Sequence, residues 1–319
     1  MQLQEAIQNP RRQRAMAVRT QVEKGIRGFF EGRNFLEVQT PILVECPGME
    51  PYINTFKLEE GYLQTSPEFA MKKLLVGGLP KIFQLAPVFR KEPSSNTHKP
   101  EFTMLEWYRA PGTYEETMKD TEDLLMTLGE NSKASHLLKA PFPRYSTSEL
   151  FLKYTGVDPL AEGAHESLQA CCSQHHLSSD SGLSFDDAYY LVWLNLIEPH
   201  LPEQPCFVKD YPVSQAALAK TEQNAKGQTY AKRFELYCNG LELANAFEEL
   251  TDPMEQRLRF EKDEKIFRQN FGRSPGNYEP FLAALAQGLP PSSGVALGVD
   301  RLVMFLANES EIAFTRWLP

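Results

Sequence analysis

The residues richest in possible chemistry lie between Phe83 and Tyr108, in FQLAPVFRKEPSSNTHKPEFTMLEWY. Two apolar-rich halves flank the polar run PSSNTHKP, whose Pro, Ser and Asn residues break a strand, so the stretch reads as a β-hairpin with a long loop. Side chains alternate faces along a strand. Arg90 and Glu92 share one face of the first half; Phe102, Met104, Glu106 and Tyr108 share one face of the second. Such a set suits charged ligands. A planar guanidinium grips carboxylates and phosphates through paired hydrogen bonds, and a carboxylate taken out of water needs a cation. The same residues would also suit the solvent face of an antiparallel sheet, and parity alone leaves both readings open.

The spacing says more. Phe89-Arg90-x-Glu92, a loop, then His98-x-x-x-Phe102 resembles motif 2 of the class II aminoacyl-tRNA synthetases, and KPEFTMLEWY resembles their lysyl branch. The resemblance implies that Arg90 holds the ATP α-phosphate and the acyl carboxylate. It implies that Glu92 and His98 contact ATP and that Phe102 stacks under adenine. Lys99 stands where the family has Asn after the His, in an ATP-contacting place. Attack of a carboxylate on phosphorus brings anions together, so a planar bidentate cation is wanted there.

These groups need elements to hold them. Residues 13–33 predict a helix, with Ala15, Val18, Val22, Ile26, Phe29 and Phe30 at helical spacing and Asn34 ending it. A strand from Phe35 to Val38 and then Pro41 follow, and together these resemble motif 1, the dimer-interface element of the family. After Thr65-Ser66-Pro67-Glu68 a helix is expected over Phe69–Val76, with Ser66 predicting an N-cap and Pro67 a first helical residue. In lysyl-tRNA synthetases such a segment binds the amino acid, which implies that role for Ser66 and Glu68. A helix over 114–129 and a capping box of Ser184 with Asp187 carry no assigned chemistry.

Phe234 to Leu250, FELYCNGLELANAFEEL, reads as two strands around the turn Asn239-Gly240. In the lysyl branch this region binds Mg²⁺ with ATP, implying Glu235 and Glu242 as metal ligands and Leu243 beside the nucleotide. It also implies Asn245, Phe247 and Glu249 for the amino acid. Glu242 and the odd-numbered Asn245, Phe247 and Glu249 cannot face one way on a straight strand, so a bulge is expected near Ala244. A charged helix is expected over 253–270. Ser292 to Phe305, SSGVALGVDRLVMF, resembles motif 3, which implies Arg301 at the ATP γ-phosphate and Gly294 and Gly298 where the backbone approaches the nucleotide.

With 319 residues the chain has room for one large domain or two modest ones, and a net charge of −9 argues against a broad grip on nucleic acid. The N-terminal run Arg11, Arg12, Arg14, Arg19 is the local exception, readable as a basic patch or as a solvated helix face. Five cysteines, an odd number without metal-ligand spacing, read as free thiols of a reducing cytosol. The histidines at 165, 175, 176 and 200 read as surface or helix-end residues. No run is long and apolar enough to span a membrane, and the N-terminus has no apolar signal region.

The resemblance implies an α+β class II synthetase catalytic fold, an antiparallel sheet flanked by helices, as a single domain over 1–319. Motif 1 begins almost at Met1, so no anticodon-binding barrel is expected, and no tRNA. Stand-alone relatives of this pattern are the elongation factor P–lysine ligases, and EFTMLEWYR and SGVALGVDRLVM resemble that family. Membership implies activation of (R)-β-lysine, and of α-lysine more weakly, with ATP and Mg²⁺, followed by transfer to a lysine of elongation factor P. A cytoplasmic homodimer is implied too. Glu106, Tyr108 and Glu249 would receive the terminal ammonium and Glu68 the amine near the reacting end, with Arg90 and Arg301 stabilising the transition state. Ala296 stands where lysyl-tRNA synthetases usually have Gly, and Ala246 likewise. A methyl at Ala296 narrows the space beside the substrate amine in a way that suits a β-amino acid. The motif 2 loop, with Pro93 in place of a Gly-containing turn, departs from the family. Two other functions stay open: the same activation with another acceptor, or an inactive synthetase-like regulatory subunit.

Overall fold

In the computed structural model, which describes residues 3–180 and 182–318, the helix expected over 13–33 runs Pro10–Glu31. It starts earlier because Asn9 caps it: the side-chain oxygen accepts from the N–H groups of Arg11 and Arg12 at 2.9 and 3.3 Å. Asn34, at φ 62°, turns the chain out of the helix, as its type suggested. The strand expected over Phe35–Val38 shrinks to Leu36–Glu37. Residues up to Ala140 and from Thr251 onward form one compact unit, and Pro141–Leu250 form a second.

In the first unit, strand Lys81–Phe89 pairs parallel with Leu36–Glu37 and antiparallel with Glu101–Arg109, which pairs antiparallel with Ser293–Gly298. The hairpin expected around motif 2 is therefore present, closed by the Arg90 N–H donating to the Pro100 carbonyl at 2.8 Å. Its two faces differ. Phe83 and Trp107 lie under the long helix, where Phe30 stacks on Phe83 at 4.9 Å and packs 5.2 Å from Trp107. The opposite face carries Gln84, Ala86 and Val88, in register with Glu106, Met104 and Phe102, and then Ala296 and Gly294, in register with Glu106 and Tyr108. The helix after the TSPE segment runs Glu68–Val76, one residue earlier than Phe69, with Pro67 rather than Ser66 at the cap position. Phe69 stacks on Phe281 at 4.2 Å and fixes it against helix Glu279–Leu285.

Gly294 serves a neighbour here. A Cβ at this position would stand 2.1 Å from Cε1 of Tyr108. Gly294→Ala is expected to lower stability by about 1–3 kcal/mol, as overpacking does, read as a lower denaturant midpoint.

The basic N-terminal run divides, with Arg12 and Arg19 turned inward and Arg14 exposed, so neither sequence reading of it holds as a whole. Arg11 pairs with Glu309 and, at 3.0 Å, with Glu311. Arg12, 3% exposed, donates to the carbonyls of Ala313, at 2.7 Å, and Arg316. Arg19 pairs with the buried Asp300 at 2.9 Å. Asp300 also accepts from the Thr103 N–H at 2.8 Å and from Thr315 at 3.1 Å, so the first turn of helix Val299–Ala307 is tied to the motif 2 strand.

The second unit has strand Cys206–Tyr211 between Arg144–Ser146, parallel, and Thr229–Cys238, antiparallel; Thr229–Cys238 also pairs with Leu241–Glu248. Asn239 and Gly240, at φ 50° and 73°, make the tight turn between the last two. The register shifts between Glu242 and Ala244, the bulge that parity required. Helices Thr147–Thr155, Ala164–Gln174 and Phe185–Val192 cover these strands around Phe151, Leu168, Tyr189 and Trp193. Ser184 caps the third, accepting from the Asp187 N–H at 3.1 Å. All five cysteines are free and buried, and among the described residues no helix is long and apolar enough to cross a membrane.

Candidate active site

The first unit gathers Ser66, Glu68, Arg90, Glu92, His98, Lys99, Phe102, Glu106, Tyr108, Ala296, Gly298 and Arg301. Glu106, 1% exposed, is the central group. Its two oxygens accept from different hydroxyls, Tyr108 at 2.6 Å and Ser66 at 2.8 Å. Tyr108 reaches it because residues two apart share a strand face; Ser66 reaches it from the start of the next helix, where its oxygen also accepts from the Glu68 N–H at 3.0 Å. Burial, with Glu68 nearby, pushes the Glu106 carboxyl up to about 8 against those two hydrogen bonds.

Glu68 lies one helical turn from Lys72, which donates to it at 2.7 Å and is 2% exposed. Motif spacing did not single out Lys72; its burial follows from the packing of Phe69. Glu50 was missed as well. Burial, with Glu68 nearby, raises its carboxyl, opposed by Arg90 and Lys72. Three acidic groups thus face two cations, and an incoming ammonium would supply the charge that lets the raised carboxyls ionise.

Arg90 stands just past its strand with its guanidinium 5.4 Å from the Phe102 ring centroid. Arg301 reaches the motif 2 loop from its helix, donating to the Thr97 carbonyl at 3.3 Å and to Nε2 of His98 at 2.7 Å. Arginine only donates, so Nε2 accepts and the imidazole is neutral. Its Nδ1 then carries the proton, 3.0 Å from Ser95 Oγ and 3.1 Å from Thr97 Oγ1. Burial and the charge of Arg301 hold the His98 pKa below its usual value. Glu92 and Lys99 are half-buried at the two ends of this loop, and Gly298 lies opposite Met104, where the motif 3 strand meets its helix.

The second unit holds Glu235, Glu242, Leu243, Asn245, Phe247 and Glu249. The register pairs Tyr237 with Glu242, Glu235 with Asn245, and Arg233 with Phe247, so the bulge brings Glu242, Asn245 and Phe247 onto the face of Glu235. Leu243, inside the bulge, is buried. Oδ1 of Asn245 is buried without a hydrogen-bond partner among the described residues. Glu235 is heavily engaged: one oxygen accepts from Tyr211 and Tyr237, both at 2.7 Å, and the other from Arg233. The alternation Arg233-x-Glu235-x-Tyr237 was a legible strand-face signal that motif matching passed over. Among the described residues no group of three or more His, Cys, Asp or Glu could hold a metal ion.

Comparison with known proteins places these residues in a lineage. The family model for tRNA synthetases class II (D, K and N) matches residues 4–319. The chain is 37% identical to the elongation factor P–(R)-β-lysine ligase of Mannheimia succiniciproducens, over 97% of this chain and 96% of that protein. It is 39% identical to the protein of that name from Pseudoalteromonas translucida, over 94% and 92%, and 37% identical to that from Proteus mirabilis, over 92% and 91%. The chain therefore belongs to the class II tRNA synthetases (D, K and N), as a relative of the elongation factor P–(R)-β-lysine ligases over nearly its whole length.

Proposed function

We propose that this chain is an ATP-dependent, AMP-forming ligase that activates (R)-β-lysine, and α-lysine more weakly, and transfers it to a lysine side chain of elongation factor P. The relatives' name supports substrate and acceptor. The observation in the chain itself that carries the reading is Glu106: a buried carboxyl held by two hydroxyls, beside Glu68 and Lys72, is built to take an ammonium. Tyr108, Glu249, Asn245 and Phe247 complete the substrate set in this proposal, with Ser66 and Glu68 toward the reacting end and Ala296 opposite Glu106 in register.

The substrate carboxylate attacks the α-phosphorus of ATP; a P–O bond forms as the bond to pyrophosphate breaks. The acceptor amine then attacks the acyl carbon, AMP leaves, and the amine loses a proton. No side chain acts as nucleophile, so the chain contributes position and charge. Arg90 holds the carboxylate and α-phosphate, and Arg301 the far phosphates. Glu92, His98, Lys99, Phe102, Leu243 and Gly298 take the remaining nucleotide contacts. Magnesium carried by phosphates needs only one or two carboxylates, and Glu235 and the half-buried Glu242 are the two in this proposal, Glu235 also accepting from Tyr211 and Arg233. When bound, the ion neutralises phosphate charge.

In this reading the protein is one catalytic domain, acts in the cytoplasm as a homodimer and uses no tRNA. Exposed Leu36, Ile42 and Leu43, in the chain that follows the motif 1 helix, suit a subunit contact, and unbridged thiols suit a reducing compartment. The test is the intact mass of elongation factor P after incubation with this protein, ATP, Mg²⁺ and (R)-β-lysine, beside an α-lysine control. A gain of one lysyl unit, larger with the β isomer, is expected. No gain with any isomer overturns the acceptor.

A further inference from the structure

Residues 47–54 form an arch stapled at both ends to segments that carry site residues. At one end the Pro47 carbonyl accepts from the N–H and hydroxyl of Thr65, at 3.4 and 2.7 Å, one residue before Ser66. At the other the Asn54 carbonyl accepts from the Lys91 N–H at 2.9 Å, one residue after Arg90. Arg273 clamps that end, donating to Asn54 Oδ1 at 2.9 Å and to the Thr55 carbonyl at 2.7 Å.

Glu50 sits mid-arch, where its carbonyl accepts from the Ile53 N–H at 3.2 Å and turns the chain. Its carboxylate lies against Gly48 and near Thr65: a Cβ on Gly48 would stand 2.4 Å from Glu50 Oε2 and 2.8 Å from Thr65 Oγ1. The charged groups that act on it are Glu68, Arg90 and Lys72. Among the described residues no other side chain bonds this carboxylate, whereas Glu68 already carries the Lys72 ammonium at 2.7 Å. Its own backbone N–H bonds it, and the half-buried carboxylate keeps acceptor positions for a ligand.

We infer that Glu50 is a specificity-determining residue, receiving the amine at the reacting end of (R)-β-lysine in the place that the sequence assigned to Glu68; the inference rests on the proposed function. The α- and β-amines differ by one carbon in their distance from the carboxylate held at Arg90. One neutralised carboxylate and one unneutralised carboxylate near Arg90 give the chain a way to choose between them.

The test is calorimetric binding of (R)-β-lysine and of 6-aminohexanoate, which keeps the carboxylate and terminal ammonium but lacks the second amine. The unsubstituted chain, Glu50→Gln and Glu50→Asp are compared, with melting temperature as the fold control. Glu50→Gln is expected to weaken (R)-β-lysine about tenfold or more and to leave 6-aminohexanoate within about twofold. Glu50→Asp is expected to show the same split at smaller size, and it carries the comparison if Glu50→Gln does not fold. Unchanged (R)-β-lysine affinity in Glu50→Gln, or equal weakening of both ligands, overturns the inference and leaves the functional reading standing. Failure of the unsubstituted chain to bind any lysine isomer overturns both.

Discussion

Arg90→Ala is expected to lower ATP–pyrophosphate exchange by about 10²–10³-fold while the protein stays folded, the scale of losing a donor aimed at developing charge. The backbone of Arg90 closes the motif 2 hairpin through its N–H, which alanine keeps. The side chain contributes little to the fold: a cation–π contact with Phe102 at 5.4 Å, of order 1 kcal/mol. Its Nε is buried with no hydrogen-bond partner among the described residues. A buried donor in that state is a standing cost, and it is explained when a ligand's anion completes it. Arg90→Lys separates charge from geometry. It keeps the cation and loses the planar fork, so exchange is expected to stay about tenfold or more below that of the unsubstituted chain. Unchanged exchange in Arg90→Ala refutes the role, and with it the motif 2 reading of the hairpin.

What was legible in the sequence was what local rules decide. Asn239-Gly240 dictates its own tight turn. The bulge before Ala244 followed from parity, because residues of mixed register had to face one way, and the register shift lies between Glu242 and Ala244. Ser184 starts its helix through a cap visible in a few residues. What was hidden depends on partners far along the chain. Arg12 looked like a solvated cation and is buried by a turn some 300 residues later, with the Ala313 carbonyl 301 positions away. Lys72 was not singled out by spacing, yet it is buried on the helix whose Phe69 stacks on Phe281. Glu50 lies in an irregular segment with no periodicity to flag it, and only the staples at Thr65 and Lys91 bring it to the site residues. Motif matching named Glu235 as a metal ligand but did not show that Tyr211, Tyr237 and Arg233 already occupy it.

Glu106→Gln is expected to raise KM for the amino acid by about 30-fold to several thousandfold, since truncating one partner of a buried charge pair costs about 2–5 kcal/mol. It should leave KM for ATP nearly unchanged. The pH dependence is the sharper signature. Burial, then Glu68, raises the Glu106 carboxyl in the free protein to about 8, above the unfolded range. A raised carboxyl favours the folded state while protonated, so that contribution is complete below the unfolded pKa and is lost as pH rises through about 8. The ligand-free melting temperature should therefore fall between about pH 4.5 and pH 8 and level off above that, and Glu106→Gln should flatten the fall. Substrate binding runs the other way. An ammonium pairs with the ionised carboxylate, so binding below about pH 8 releases a proton and affinity rises with pH, at most about tenfold per unit. Calorimetry in buffers of different ionisation enthalpy reads that proton directly. No proton released by the unsubstituted chain, or the same release from Glu106→Gln, would show that Glu106 is not the group that meets the substrate's ammonium.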